Sequence, residues 1–151
     1  MESAFVPPEF VVPTVLETER FRLEPLGPQH NEPDYDAWSS SVEHIRSTPG
    51  WERSSWPDDR DLEANLRDLE RHARDFQDRT GFTYTVLDPA TGDVIGCVYI
   101  YPDKQGTADA KVLSWVRASR AELDAELWRA VTEWLAETWP FERVAYAERS
   151  S

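Results

Sequence analysis

The stretch GFTYTVLDPATGDVIGCVYIYP, residues 81–102, decides the fold. Its first half, from Phe82 to Leu87, consists mostly of aromatic and β-branched residues, a composition typical of a β-strand. A second run of the same kind extends from Val94 to Tyr101. Between the two runs, Asp88 to Asp93 contains a proline, a glycine and two aspartates, which favour a turn. The sequence therefore predicts a β-hairpin here.

The chain before this hairpin predicts one strand and two helices. Apolar and polar residues alternate from Arg20 to Leu26, which indicates a half-buried strand. The first helix is predicted over Asn31 to Arg46 from apolar residues at helical spacing. The second begins at a cap formed by Asp58 or Asp59. Its apolar stripe consists of Leu62, Leu66, Leu69, Ala73 and Phe76, and its other face is densely charged, as expected of a solvated surface.

The chain after the hairpin predicts a βαβ unit over residues 111–147. Strands are expected at 111–117 and 141–147, and such units place their two strands in parallel. The helix between them is marked by Leu123, Leu127, Val131, Trp134 and Leu135. The order β-α-α-β-β-β-α-β predicts a single α/β (α+β) domain with a mixed sheet at residues 19–151.

Residues 1–18 are predicted to form an extended arm in front of this domain. Pro7, Pro8 and Pro13 exclude a helix there. The arm is also rich in Phe and Val, so it is expected to pack along the body or against a second copy. Residues 141–147 are expected to form an open sheet edge and Trp128 to be exposed, and together they predict a homodimer.

Length and composition limit the classes of protein to consider. The 151 residues suit one domain, and the net charge of −13 argues against binding to nucleic acid or to anionic membranes. No apolar run approaches the roughly 20 residues of a membrane span. The single cysteine, Cys97, excludes an internal disulfide and a thiolate metal site and is expected to be buried. We therefore expect an acidic cytoplasmic protein without a metal.

The predicted order of elements and four strings resemble the GNAT superfamily of N-acetyltransferases, in particular its ribosomal-protein alanine acetyltransferase branch. The string ETERFRLEPLGPQH (17–30) is similar to the family's first strand and helix entry, and the hairpin, with its Ile95-Gly96 pair, to the family's central hairpin. VLSWVR (112–117) is similar to the strand that receives acetyl-CoA, and WPFERVAY (139–146) to the strand after the cofactor helix.

This resemblance implies acetyl-CoA as the cofactor, with five residues nearest to it: Trp115, Val116, Arg117, Ser119 and Arg120. Two departures from the family pattern stand out. The family's phosphate-binding loop contains glycines, whereas residues 117–124 contain none. Instead, Ser119 and Glu122 fit a helix capping box, while Arg117 and Arg120 have the chemistry to clamp a phosphate. The family also continues with a further helix and strands where this chain ends, at Ser151.

Candidate residues for an acceptor pocket are aromatic. Tyr99 and Tyr101 share one face of the second hairpin strand and, with Tyr84 and Trp56, are predicted to line a cleft. The alternative is that these rings fill the core. Tyr99, Tyr101 and His44 are the candidate proton-transfer groups, and His72 is expected to be solvated.

Three classes of function remain open from the sequence. The first is an acyl-CoA-dependent N-acetyltransferase that acts on a small or peptide amine. The second is an acetyltransferase-like fold without catalysis that binds a small molecule or a protein. The third is an enzyme that uses the same cleft without coenzyme A.

Overall fold

A computed structural model of the chain describes residues 4–149, so the first three residues of the arm and the last two of the domain lie outside the described part. The strands are β1 (Leu16–Glu17), β2 (Arg22–Pro25), β3 (Phe82–Leu87), β4 (Val94–Tyr101), β5 (Ala110–Val116) and β6 (Val144–Tyr146). The α-helices are α1 (Asn31–Ser39), α2 (Val42–Arg46), α3 (Leu62–Gln77) and α4 (Asp124–Thr138). Two 3₁₀-helices, Pro28–His30 and Ala118–Leu123, precede α1 and α4.

The strands form one six-stranded mixed sheet in sequence order from β1 to β6. Every neighbouring pair is antiparallel except β5 and β6, which are parallel. The predicted hairpin is confirmed as β3 and β4, and so is the predicted βαβ unit. The two-residue strand β1 was not predicted, because two residues inside the proline-rich arm carry no recognisable alternation.

The predicted first helix is two helices, because two serines compete for its backbone carbonyls. Ser40 Oγ donates to the carbonyl of Asp36 (2.7 Å), and Ser41 Oγ donates to that of Ala37 (2.8 Å). Such hydroxyl bonds offer the backbone an alternative to the helical ladder. The chain therefore turns after α1 and starts again as α2.

Helix α3 begins later than predicted, and its buried face includes polar residues that were not predicted. Asp61 is the cap, since its carboxylate accepts from the amide of Ala64 (2.8 Å), so the prediction of Asp58 or Asp59 is wrong. The most buried residues of α3 are Asn65, Leu69 and His72, whereas the predicted stripe begins at Leu62, which is 38% exposed. Of the predicted stripe, Leu69 is buried and Leu66, Ala73 and Phe76 are half-buried. The prediction is therefore wrong at Leu62, and it omitted the two buried polar residues, because it considered apolar residues alone.

The sheet separates two apolar clusters. One cluster packs the arm and α4 against Phe82, Tyr84 and Val86 of β3. The other packs α1 and α3 against the opposite face, where Cys97 and Trp115 lie. A β-bulge at Ile95 shifts the register of β4 against β3 and leaves Ile95 in the first cluster, on the side away from Cys97.

The described part of the arm lies along the body. Phe5 stacks on Phe82 and Phe141, with ring centroids 5.8 and 5.2 Å apart. The Tyr84 hydroxyl donates to the carbonyl of Pro13 (2.6 Å). Tyr84 therefore lies on the face of the sheet that the arm and α4 cover, where its ring also contacts Phe76 near the end of α3 (centroids 5.5 Å apart).

The last strand, β6, is the edge of the sheet in the described chain. Trp128 of α4 is half-buried against the ring of Tyr146, with centroids 6.5 Å apart, so the expectation of an exposed ring is wrong. The homodimer stays a prediction. No helix among residues 4–149 is long and apolar enough to cross a membrane.

Candidate functional site

A cavity of about 520 Å³ opens between helix α3, the loop before it and strands β4 and β5. We call it the aromatic cleft. Its walls are Trp51, Trp56, His72, Tyr99, Tyr101 and Leu113. Six charged side chains also line it: Arg60, Asp68, Arg71, Asp103, Lys104 and Lys111. A concave site with aromatic walls and a few polar groups is typical of small-molecule binding.

The register of β4 and β5 places the cleft residues side by side. Tyr99 lies opposite Leu113, and Tyr101 lies opposite Lys111. Because side chains alternate along a strand, these four project from one face of the sheet. Gly81 leaves the room that the Tyr101 ring occupies, since a Cβ atom at this position would overlap the ring.

Indole and phenol rings form a continuous wall on the inner side of the cleft. The ring centroids of Trp51 and Trp56 are 5.3 Å apart, and those of Trp51 and Tyr99 are 5.5 Å apart. Trp115 is fully buried beneath them, and its Nε1 donates to the Tyr99 hydroxyl (2.9 Å). These contacts fix the orientation of the rings, so the cavity is formed without a ligand.

A hydrogen-bond network joins α3 to the sheet at one end of the cleft. Tyr101 donates to a carboxylate oxygen of Asp75 (2.9 Å). His72 Nδ1 lies 3.0 Å from both the Tyr101 and the Thr83 hydroxyls. His72 is 7% exposed, so the prediction that it is solvated is wrong.

Neither cleft tyrosine is activated for proton transfer. Burial raises the pKa of Tyr101, and burial raises that of Tyr99 as well. Both phenols are therefore neutral at physiological pH, and their hydroxyls are already bonded within the chain. This arrangement holds a ligand more readily than it moves a proton.

The acidic group inside the cleft is neutralised by its neighbours. Asp68 lies 3.4 Å from Arg60 and accepts a hydrogen bond from Arg71. Burial acts to raise the pKa of Asp68, but His72 and Arg71 together hold it well below its usual range. Asp68 is thus a permanent anion shared between cations.

The structure brings together three of the four predicted pocket residues: Trp56, Tyr99 and Tyr101 line the cleft. Tyr84 does not, because it lies on the opposite face of the sheet. His44 lines a different cavity, of about 390 Å³, beside the start of α4. Sequence analysis missed the role of His72, although its spacing of three residues from Leu69 and four from Phe76 places all three on one side of a helix.

The loop that would hold a cofactor phosphate has most of its binding groups engaged. Arg117 pairs with Asp36 (3.0 Å), and Arg120 pairs with Asp88 (3.1 Å). The amide of Ala118 donates to Ser41 Oγ (2.8 Å). The predicted capping box is wrong: no side chain caps the 3₁₀-helix that starts at Ala118 or the helix α4 that follows it.

The gap between β5 and β6 is filled by the chain itself. The two strands pair only at Ala110 to Val112, so they separate beyond that point. Two side chains donate to the Ser114 carbonyl in the gap: Trp51 Nε1 (2.9 Å) and Arg149 (2.8 Å). The Ser114 hydroxyl lies 2.6 Å from that of Tyr146.

A buried ion pair holds Arg149 in this gap. Its Nε lies 2.8 Å from Asp124 of α4, and its side chain is 3% exposed. Of the residues that the resemblance places nearest acetyl-CoA, Trp115 and Val116 are fully buried, and Arg117 and Arg120 are paired with acids. Ser119, the fifth residue, is exposed. Four of the five residues thus offer no free side chain to acetyl-CoA in the arrangement that the resemblance implies.

Three other features of the described chain provide no candidate site. A cavity of about 670 Å³ lies against the outer face of α4, and none of the predicted site residues line it. No group of three His, Cys, Asp or Glu side chains within residues 4–149 is placed to hold a metal ion. Cys97 is fully buried, and burial raises the pKa of its thiol, so it is not a nucleophile.

Comparison with solved structures finds acetyltransferases. A ribosomal-protein-alanine acetyltransferase from Vibrio fischeri matches with a TM-score of 0.60 at 14% identity, over 80% of this chain and 66% of that one. A GnaT-family acetyltransferase from Bordetella pertussis matches with 0.62 at 18% identity, over 89% and 77%. The microcin self-immunity acetyltransferase MccE, solved with acetyl-CoA and AMP, matches with 0.61 at 13% identity, over 83% and 67%.

The chain thus spans about two thirds to three quarters of the length of these three structures. No protein-family model and no curated protein matches it. At such low identities a structural likeness establishes architecture and not activity. It confirms the architecture implied by the sequence resemblance: this chain has the fold of the GNAT acetyltransferases.

Proposed function

We propose that this chain is a GNAT-fold protein that binds a small organic molecule in the aromatic cleft and does not use acetyl-CoA. The observation that carries the proposal is the pair of hydrogen bonds that Trp51 and Arg149 donate to the Ser114 carbonyl. They fill the gap beside the strand that resembles the cofactor-binding strand of the family. The rival function, an acyl-CoA-dependent N-acetyltransferase, is favoured by the likeness of fold.

The energetics of the gap support the proposal. An acyl-pantetheine arm placed along β5 in this gap would displace Arg149 from both Asp124 and the Ser114 carbonyl. Breaking a buried ion pair costs about 3–5 kcal/mol, because one charge is left without a partner. That cost alone weakens cofactor binding by a factor of about 100 or more, since 1.4 kcal/mol is a tenfold change.

The phosphate end of such a cofactor meets a second obstacle. The cations predicted to clamp it, Arg117 and Arg120, are already paired with Asp36 and Asp88. Asp124 and Glu126 stand in the first turn of α4, where they repel an approaching phosphate. The negative charges at the start of α4 therefore oppose the phosphate binding that a helix N-terminus otherwise favours.

The aromatic cleft supports binding rather than catalysis. Its rings are fixed by hydrogen bonds and ring contacts, and its polar groups converge on one cavity. The Tyr99 and Tyr101 hydroxyls have high pKa values and partners within the chain, so neither is poised as an acid or base at neutral pH. Binding a ligand requires no change in these groups.

Thermal denaturation with acetyl-CoA tests the proposal. A ligand at about 100 times its Kd stabilises the fold by about 2.7 kcal/mol, which raises the Tm by several degrees. We expect no saturable rise with acetyl-CoA or coenzyme A. A saturable rise with acetyl-CoA, and a larger one in the Arg149→Ala variant, would show that the gap is a cofactor site and would overturn the proposal.

A further inference from the structure

We propose that the aromatic cleft selects an organic anion, with an aromatic body against the ring wall and a carboxylate or phosphate head at Lys104 and Lys111. This inference rests on the proposed function, because it names the ligand class of the same cleft. The proposed ligand is an anion, whereas the acceptor of an N-acetyltransferase is an amine.

The placement of the lysines is the first observation. The chain has two lysines, Lys104 and Lys111, against a net charge of −13. Both line the aromatic cleft. Within residues 4–149, neither ammonium group has a carboxylate within 4 Å, as every ion pair of the described chain involves arginine or histidine. The cleft therefore holds the uncompensated positive charge of both lysines.

The other charges of the cleft largely cancel. Asp68 is shared between Arg60 and Arg71, as described above, and Arg60 also forms two hydrogen bonds with Asp58 (2.8 and 2.9 Å). Asp75, at the end of the cleft, lies 3.6 Å from Arg71 and accepts a hydrogen bond from Tyr101. Asp103 is the acid of the cleft that forms no ion pair among the described residues, and its carboxylate accepts from the Thr107 hydroxyl (2.9 Å) and the Ala108 amide (3.0 Å). One loop-bound anion thus stands against two free ammonium groups.

The alternation of side chains along β5 places apolar residues inside the cleft and a cationic residue at its mouth. Along β5, Trp115, Leu113 and Lys111 project from one face, and Lys111 ends this series beside Tyr101. Trp115 is fully buried, Leu113 is half-buried and Lys111 is exposed. A ligand that complements this arrangement has a flat apolar part inside the cleft and a negative charge at its mouth.

Cation–π and desolvation effects favour the same orientation. Rings stacked against Trp51, Trp56 and Tyr99 remove apolar surface from water, which stabilises binding. An ammonium ligand gains from the ring faces, but it meets Lys104 and Lys111 at the mouth. The cleft therefore discriminates by charge as well as by shape.

Isothermal titration with four naphthalene probes tests the charge preference. The probes share one ring system and differ in their heads: naphthoate, naphthyl phosphate, uncharged naphthamide and cationic naphthylmethylammonium. We expect naphthoate or naphthyl phosphate to bind about tenfold or more tightly than naphthamide, and naphthylmethylammonium to bind weakest. The two anions distinguish a carboxylate site from a phosphate site.

Charge variants locate the anion head. In Lys104→Gln and Lys111→Gln we expect the preferred anion to bind about two- to fivefold more weakly, with naphthamide unchanged. Arg129→Gln removes the same charge from the exposed face of α4 and is the matched control, expected to have no effect. Asp103→Asn is expected to strengthen anion binding.

The outcomes separate this inference from the proposed function. Equal affinity for the anions and naphthamide, lost in Trp56→Ala, would overturn the charge preference and leave a small-molecule cleft. Tighter binding of naphthylmethylammonium would also overturn it, in favour of an amine site. Absence of binding by all four probes, together with saturable acetyl-CoA binding, would overturn both proposals.

Discussion

The aromatic cleft and the gap between β5 and β6 lie on either side of the same stretch of strand β5, and Trp51 contributes to both. In the gap, Arg149 donates hydrogen bonds to both Asp124 and the Ser114 carbonyl in a buried cluster. In the cleft, rings enclose an open cavity, and the lysines at its mouth have no acidic partner among the described residues.

The difference indicates which region is available to a ligand. A buried polar cluster held by several hydrogen bonds resists opening, because each broken contact leaves an unpaired group. A cavity with fixed walls and free charges needs no such rearrangement. The same fold thus presents a closed region where the family resemblance predicts a cofactor, and an open region beside it.

The largest expected effect comes from opening the gap. Arg149→Ala is expected to lower the free energy of unfolding by about 3–5 kcal/mol, because Asp124 is left as a buried charge without a partner. Urea denaturation measures this loss. Arg143→Ala, at an exposed arginine nearby, is the control, with an expected change within about 0.5 kcal/mol.

A double variant makes this first test sharper. If the ion pair is the cause, Asp124→Asn together with Arg149→Ala is expected to recover part of the loss, since no buried charge remains. A near-neutral Arg149→Ala would contradict the comparison, because it would mean that the gap is not held closed.

The second effect concerns a buried carboxyl behind the cleft, Asp34 of α1. Burial raises its pKa to about 6 from 3.8, although Asn65 donates a hydrogen bond to it (3.2 Å). The stability that its neutral form contributes is complete below pH 3.8 and is lost as the pH rises through about 6. Asp34→Asn is therefore expected to stabilise the fold by about 2–3 kcal/mol at pH 8.

Denaturation as a function of pH checks this prediction. The gain in Asp34→Asn is expected to vanish below about pH 4, where the wild-type carboxyl is neutral in both states. Glu32→Gln, at an exposed position of the same helix, is expected to show no such pH dependence. A loss of stability at pH 8 would show that the Asp34 carboxylate is instead stabilised by its surroundings.

The third effect tests whether the cleft wall is rigid. In Gly81→Ala the added methyl group overlaps the Tyr101 ring, so we expect a loss of about 1–3 kcal/mol and weaker binding of the naphthalene probes. The double variant Gly81→Ala, Tyr101→Leu lacks the Tyr101 ring and therefore lacks the overlap. If the two substitutions were additive instead, the proposed clash would not be the cause.

The smallest effect concerns the start of α3, which carries His72 and Asp68 into the cleft. Asp61→Ala is expected to cost about 1 kcal/mol, because the amide of Ala64 loses its capping partner. Asp59→Ala is the matched control and is expected to be neutral. If thermal denaturation showed a larger loss of stability in Asp59→Ala than in Asp61→Ala, the cap would be Asp59, as the sequence analysis predicted.

The sequence predicted much of the sheet and less of the site. Alternation and turn residues defined β3 and β4 to the residue, because local composition determines a hairpin. The cleft depends on which face of α3 is buried, and Asn65 and His72 are buried through hydrogen bonds to distant residues. Helical spacing places His72 on the side of Leu69 and Phe76, but it does not identify these partners. Arg149 fills the gap only because β6 returns beside β5, so its role follows from tertiary structure alone.

A crystal structure of the protein soaked with both acetyl-CoA and naphthoate tests the central claim most directly. The account predicts naphthoate density against Trp51, Trp56 and Tyr99, with its carboxylate toward the lysines, and Arg149 still bonded to the Ser114 carbonyl. Density for acetyl-CoA between β5 and β6, with Arg149 displaced from that carbonyl, would contradict it.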